Sequence, residues 1–391
     1  MTGISLAKEL NPSGTFYGHG INCDYSSINT GDGNDTIRGN GPDIGIYTSY
    51  STLNTGQDND IITGTGSLLG IENTYSTIDT GDGNDIITGV GTNAIGIYNL
   101  LSSSINTGHG NDTITGTSSQ GNGIENVHST IDTGDGNDII TGIGINYGLY
   151  NAGTINTGNG NDSIIADRAF DSNRPWYNIY NSSQGTINTG NGEDSIISQR
   201  NFTNYGGVFL GDGNDSLTAD TDFPNRALEN FNFIGTGDGN DIITSSGVIY
   251  NQGVIETGNG DDSIIVDGGV DGTGTGYGIY NNGGNINTGD GNDSIIANGG
   301  FQSGENSSGS VFLGEGEDYI KGFGSGDFYG GNGKDILELT PGTYTVGRWD
   351  TTVTFTKRNS LMIASEFEQL TAGSTTYIFS SLIEGQTIVV A

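Results

Sequence analysis

Thirteen aspartates each follow a glycine by four residues, and in twelve of these copies a second glycine lies between them. The aspartates are Asp35, Asp60, Asp85, Asp112, Asp138, Asp162, Asp194, Asp215, Asp241, Asp262, Asp293, Asp318 and Asp335. The leading glycines are Gly31, Gly56, Gly81, Gly108, Gly134, Gly158, Gly190, Gly211, Gly237, Gly258, Gly289, Gly314 and Gly331. The second glycines are Gly33, Gly83, Gly110, Gly136, Gly160, Gly192, Gly213, Gly239, Gly260, Gly291, Gly316 and Gly333. Glycine lets a backbone turn with positive φ and bring its carbonyls close to an ion, while aspartate supplies a hard anionic oxygen. Calcium takes six to eight oxygen ligands at about 2.3–2.6 Å and accepts backbone carbonyls. One such turn offers too few oxygens, but two turns stacked on each other offer enough.

The flanks say what stacks them. Two residues past every aspartate stands Ile or Leu, from Ile37 and Ile62 to Ile320 and Leu337. Three residues before every leading glycine stands an apolar residue, from Ile28 and Leu53 to Val311 and Phe328. A second signal, such as Gly96-Ile97-Tyr98-Asn99 or Gly278-Ile279-Tyr280-Asn281, lies between the motifs. Its asparagines are Asn22, Asn73, Asn99, Asn126, Asn151, Asn181, Asn204, Asn230, Asn251, Asn281 and Asn306, with Thr48 in the second coil. The leading glycines recur on average every 25 residues or so, which leaves room for three short strands separated by Gly/Asn turns. β-branched residues alternating with Thr, Ser or Asn suit strands with one buried face. One unit cannot bury its apolar stripe alone, whereas stacked units can. The expected fold is therefore all-β: a parallel β-helix or β-roll solenoid of about twelve coils, with an asparagine column bonding along one corner.

Composition narrows the function classes. Of 391 residues, 71 are Gly, which is 18% against a usual ~7%. Hydrophobic residues reach only 31%, and the net charge is −35. No run approaches the ~20 apolar residues a membrane helix needs, and a basic nucleic-acid patch is incompatible with this charge. With 5 Pro the chain is not collagen, and the single Cys23 makes no disulfide scaffold and is read as inert. Low hydrophobicity with high charge would fit disorder, but invariant apolar flanks in thirteen copies do not. Bound cations answer the charge instead. Thirteen turns leave twelve gaps, and twelve Ca²⁺ would bring −35 to −11. Without metal, aspartates stacked ~5 Å apart repel, so the metal-free chain is expected to be loose or unfolded and folding to be driven by calcium.

These turns resemble the RTX, or haemolysin-type, calcium-binding repeat, Gly-Gly-x-Gly-x-Asp-x-U-x with U a large apolar residue. The best match is Gly330-Gly331-Asn332-Gly333-Lys334-Asp335-Ile336-Leu337, and most other copies carry Thr in the first position, as in Thr80-Gly81-Asp82-Gly83-Asn84-Asp85. Copy two, Gly56-Gln57-Asp58-Asn59-Asp60, lacks the second glycine. The resemblance covers roughly residues 28 to 340. It implies one file of calcium ions along one edge, each held by motif aspartates and turn carbonyls of successive coils. Near the end, Asp318, Asp327 and Asp335 are spaced nine and eight apart, closer to the family's ordinary roll.

The resemblance also organises the chain: residues 1–27 as the N-terminal end and first coil, 28–337 as the calcium-binding solenoid, and 338–391 as a β-rich antiparallel cap. Thr343–Trp349 and Thr351–Thr356 alternate like a hairpin, and Leu361–Ala364 and Thr375–Phe379 read as further strands. Gln386–Ala391 fits the uncleaved C-terminal signal of type I secretion. Met1–Lys8 lacks the apolar core of a signal peptide, so the expectation is an extracellular or cell-surface protein exported without one.

Other chemistries are weaker. His19, His109 and His128 form no ligand spacing or catalytic cluster. Insertions at Asp167–Tyr177 and Asp267–Tyr277 interrupt the repeat. The first carries Asp167, Arg168, Asp171 and Arg174, the sole candidate for polysaccharide cleavage, beside Phe170, Trp176 and Tyr177, which would suit a cell-surface glycan or protein. The column Thr30, Thr55, Thr80, Thr107 and Thr133 suggests an ice-binding row, as does a second rank at Thr63, Thr88, Thr115 and Thr141. The overall expectation is a non-enzymatic calcium-binding surface protein. Its partners would be calcium, further copies of itself in a fibre or layer, and a cell-surface glycan, with no nucleic acid and no membrane span.

Overall fold

A computed structural model describes residues 18–167, 178–221, 226–270, 276–304 and 308–391. The chain divides into two compact units, residues 1–210 and 211–391. Each is a parallel β-solenoid, with about 11 turns between them, close to the twelve expected. Seven motif turns fall in the first unit and six in the second.

In the first unit a coil consists of three short strands, for example Ile61–Gly66, Leu69–Thr74 and Thr77–Asp79. Each pairs in parallel, in register, with its counterpart one coil on: Ile62 with Ile87, Ile71 with Ile97, Leu53 with Ile78. The isoleucines point inward and are fully buried, among them Ile62, Ile87, Ile114, Ile140 and Ile164 in one column. Each such burial contributes about 1.5–3 kcal/mol, and stacking repeats the gain per coil. The core is thin because two sheets meet backbone to backbone: a Cβ at Gly64 would overlap the carbonyl oxygen of Gly70. At one corner Tyr25, Tyr50 and Tyr75 stack face to face at 4.9 and 4.8 Å, the spacing of adjacent strands.

The second unit repeats the pattern. Leu217, Ile243, Ile264, Ile295, Ile320 and Leu337 form its inward column, on strands from Ser216–Ala219 to Ile336–Leu339. It ends in the expected antiparallel cap. Gly342–Trp349 pairs with Thr352–Lys357 and with Thr387–Val390, and Ser360–Ser365 runs antiparallel to Thr352–Lys357 but parallel to Gly326–Gly333. Among the described residues the single helical segment is the 3-10 turn Phe379–Ser381, so no helix is long and apolar enough to cross a membrane.

The asparagine column exists and is buried. Asn73 donates its amide to Asn99 at 2.8 Å, Asn99 to Asn126, Asn126 to Asn151 and Asn151 to Asn181, each at 2.9 Å. Thr48 starts this run by donating to Asn73 at 2.7 Å. In the second unit Asn230 donates to Asn251 and Asn251 to Asn281. Asn22 is not a member. It is exposed and pairs with Tyr47, and buried Cys23 takes the column position opposite Thr48. Burial pushes the Cys23 thiol up to about 11, which suppresses the reactive thiolate. Asn306 lies outside the described residues, and Ser303 pairs with Asn281 instead.

Candidate metal centre

Each motif turn is built on its glycines. In the third and fourth copies φ is +82° at Gly81, +155° at Gly83, +86° at Gly108 and +143° at Gly110. The second glycine's N–H bonds to the next coil: Gly83 to the His109 carbonyl and Gly110 to the Asp135 carbonyl, both at 2.8 Å. The approach leaves no room for side chains. A Cβ at Gly110 would overlap the carbonyl oxygen of Gly83, and one at Gly108 that of Gly81. Stacked turns therefore line up rows of glycine carbonyl oxygens. Copy two keeps this shape without its second glycine, because Asp58 takes φ +82° and its N–H bonds the Asp82 carbonyl at 2.8 Å. The departure in sequence at Asp60 is thus no departure in fold.

The motif aspartates share the inward parity of the isoleucine two residues on, and all thirteen are buried. One carboxylate oxygen of each aspartate after the first in a unit accepts a backbone N–H in a ladder. The N–H of Asp35 donates to Oδ1 of Asp60, and the series continues through Asp85, Asp112, Asp138 and Asp162 to Asp194 at 2.7–2.8 Å. In the second unit it runs from Asp215 through Asp241, Asp262, Asp293 and Asp318 to Asp335 at 2.7–3.0 Å. At eleven of the thirteen the second oxygen is not used. Oδ2 of Asp35, Asp60, Asp85, Asp112, Asp138, Asp162, Asp241, Asp262, Asp293, Asp318 and Asp335 is buried with no hydrogen-bond partner.

Electrostatics follows from that burial. Desolvation pushes the carboxyls of Asp85, Asp138, Asp262 and Asp318 up to about 7, and those of Asp162 and Asp335 up to about 6. Neighbouring motif aspartates add repulsion at Asp85, Asp138 and Asp262. The threonine five residues upstream, such as Thr133 before Asp138, pulls the other way. Its hydroxyl proton is nevertheless committed elsewhere, since Thr133 donates to the Thr157 carbonyl at 3.3 Å. The Thr30, Thr55, Thr80, Thr107 and Thr133 column is therefore an inward one. From Thr55 on it is fully buried, and it cannot present a row to ice.

Buried, unanswered carboxylate oxygens on turns that also stack their glycine carbonyls offer a donor set for a hard cation. Among the described residues no group of three His, Cys, Asp or Glu converges, so a transition-metal site of side chains is not built. Calcium fits. It would be held by the motif aspartates together with carbonyls of their glycines, and it would neutralise the charge that burial penalises.

Other residues fasten the turn from outside. The backbone N–H of Asn84 donates to Oδ1 of Asn59 at 2.6 Å, that of Asn111 to Asn84 and that of Asn137 to Asn111. This second ladder, one residue before each aspartate, is exposed and runs in the opposite direction. Asn fills nine of these thirteen positions in the sequence, at residues 34, 59, 84, 111, 137, 161, 214, 240 and 292. His109 sits on the exposed side of its turn, 3.4 Å from Asp135. Asp327 is not a turn residue. It lies half-exposed in the strand Gly326–Gly333 opposite Ser310, because residues 318–335 form one full coil and not two short ones. In the insertions, residues 168–177, including Arg168, Asp171 and Arg174, and residues 271–275 lie outside the described residues.

No protein-family model matches the chain, and no curated protein matches it. Among solved structures the chain is similar to a hyperactive, Ca²⁺-dependent, beta-helical antifreeze protein from an Antarctic bacterium. The two are 23% identical, the match covers 77% of this chain and 81% of the other, and the TM-score is 0.46.

Proposed function

We propose that the protein is a non-enzymatic, calcium-dependent β-solenoid that acts outside the cell as a structural or surface element. The observation that carries this reading is the file of buried aspartates, joined to one another by the backbone-to-carboxylate ladder, eleven of which keep a buried carboxylate oxygen without a partner. Charges so placed are untenable alone and are answered by a divalent cation in each gap. Extracellular calcium-binding modules work at Kd of ~10⁻⁴–10⁻³ M, so calcium outside the cell would hold the fold while cytosolic levels would leave it loose. That difference suits export of a pliable chain that sets on arrival.

The test is a count. Equilibrium dialysis of an EDTA-stripped sample against calcium, read by atomic emission, should give about one bound ion per gap between motif turns. Light scattering on the same samples tests for assembly into fibres or layers. Binding of one ion or none sinks the reading.

One observation favours a second reading. Thr63, Thr88, Thr115 and Thr141 stack in register on the half-exposed outer face of their sheet, beside the column of Ile61, Ile86, Thr113 and Ile139. A regular array of uncharged side chains of this kind suits an ordered surface such as ice. Thermal hysteresis measured with and without calcium separates this from a purely structural role.

A further inference from the structure

The last motif turn, Gly330–Asp335, is covered by the cap and not by another motif. The pairing on either side shows how. Tyr329 is in register with Ser365, and Ile336 is in register with Gln369. Six motif residues are thus matched by three cap residues, Glu366, Phe367 and Glu368. Glu368 occupies the place where the next motif aspartate would stand. Its Oε2 accepts the Asp335 N–H at 2.8 Å, as Oδ1 of Asp335 accepts the Asp318 N–H at 3.0 Å. Two residues on, Leu370 is fully buried opposite Leu337, repeating the apolar position of every copy. Glu366 takes φ +64°, on the positive side where the motif glycines also lie.

Two oxygens meet at Gly330. A Cβ there would overlap the carbonyl oxygen of Glu366 and lie 2.9 Å from Oδ2 of Asp335. This explains why Gly330 stands where ten other copies carry Thr. Asp335 is completely buried, and its Oδ2 has no hydrogen-bond partner. Glu317, Glu366 and Glu368 add repulsion to this carboxylate. The preceding residue, Lys334, is exposed and turned to Glu317 at 3.9 Å.

We propose that Asp335, the Glu366 carbonyl and the Glu368 carboxylate form a closing calcium site that fastens the cap to the solenoid. It lies beyond the gaps between motif turns and uses ligands from outside the repeat. The inference rests on the calcium reading of the motif turns, because the same oxygen types face the same kind of gap. It predicts that the cap is locked by the ion as well as by its own hairpins.

The test uses the full chain. Bound calcium is counted for the wild type, Glu368→Gln and Asp350→Asn, the last an exposed cap carboxylate that the site does not use. Backbone hydrogen exchange is followed alongside. Glu368→Gln should bind one ion fewer than the other two, with faster exchange confined to residues 360–372. A full calcium complement in Glu368→Gln overturns the proposal. Loss of protection throughout residues 211–391 overturns it as well, since the side chain would then hold the fold and not an ion. A wild type that binds no calcium defeats the motif reading itself, which keeps the two failures apart.

Discussion

The backbone N–H of Asp85 donates to Oδ1 of Asp112 at 2.8 Å, and Oδ2 of the same Asp112 is buried without a partner. That division of one carboxylate recurs along each solenoid. The bonded oxygen sets the register of two coils, and the other is available to a cation in the gap.

Replacing Asp138 by Asn separates the two roles. The amide oxygen can still accept the Asp112 N–H, now at 2.8 Å from Oδ1, but the charge is gone. In calcium the variant should lose about 3–5 kcal/mol, the scale of a broken buried ion pair. In EDTA it should match or exceed the wild type, since one penalised charge has been removed. Urea denaturation under both conditions checks this, and equal losses in both would contradict it.

The pH dependence has an unusual sign. A carboxyl with an unfolded pKa of 3.8 and a folded value of about 7, as at Asp85, Asp138, Asp262 and Asp318, binds more protons folded than unfolded between those limits. Metal-free stability should therefore fall as pH rises from about 4 to about 7. Calcium affinity should rise across the same window, because the ion needs the deprotonated form. Thermal melts at several pH values in EDTA and in calcium read both slopes; a metal-free melting temperature that climbs with pH would be inconsistent with this account.

Gly110 and Gly33 occupy equivalent turn positions with unequal surroundings. An added Cβ meets the Gly83 carbonyl at Gly110 but finds nothing within 4 Å at Gly33. Gly33→Ala should cost only about 1–3 kcal/mol for its φ of +115°. Gly110→Ala should cost clearly more and reduce the calcium count. Similar melting temperatures for the two variants would show that the turns do not stack so closely.

Asn99 gives its amide to Asn126 and to the Thr130 carbonyl, both at 2.9 Å, and accepts from Asn73. Asn99→Ala should destabilise by roughly 2–4 kcal/mol, with several buried polar groups left unmatched. Asn99→Thr should cost less, because Thr48 already holds a place in the same column. Chemical denaturation in saturating calcium ranks the two.

Much of this was legible in the sequence because a solenoid repeats its contacts at each coil. Gly-x-Gly-x-Asp marked the turns, and Ile two residues past each Asp marked the core. The asparagine column followed from its spacing to the next motif. The exceptions have local causes. At the first coil, Asn22 and Cys23 are adjacent, and only pairing with Thr48 shows which side chain faces inward. The burial of Thr55 or Thr80 was available from parity, since each stands two residues after a buried Leu53 or Ile78. Their resemblance to an exposed threonine row obscured it. Asp327 imitates a motif spacing, yet a strand takes it outward. Glu368 was hidden for the opposite reason: the cap supplies the motif's carboxylate without its glycines, so no pattern points to it.

The central claim is that calcium holds these coils together, and far-ultraviolet circular dichroism of an EDTA-stripped sample during a calcium titration tests it most directly. The account predicts a loose metal-free state that gains β-structure toward millimolar calcium, reversed by EDTA. A stripped protein that is already fully β-structured and unchanged by calcium would contradict it.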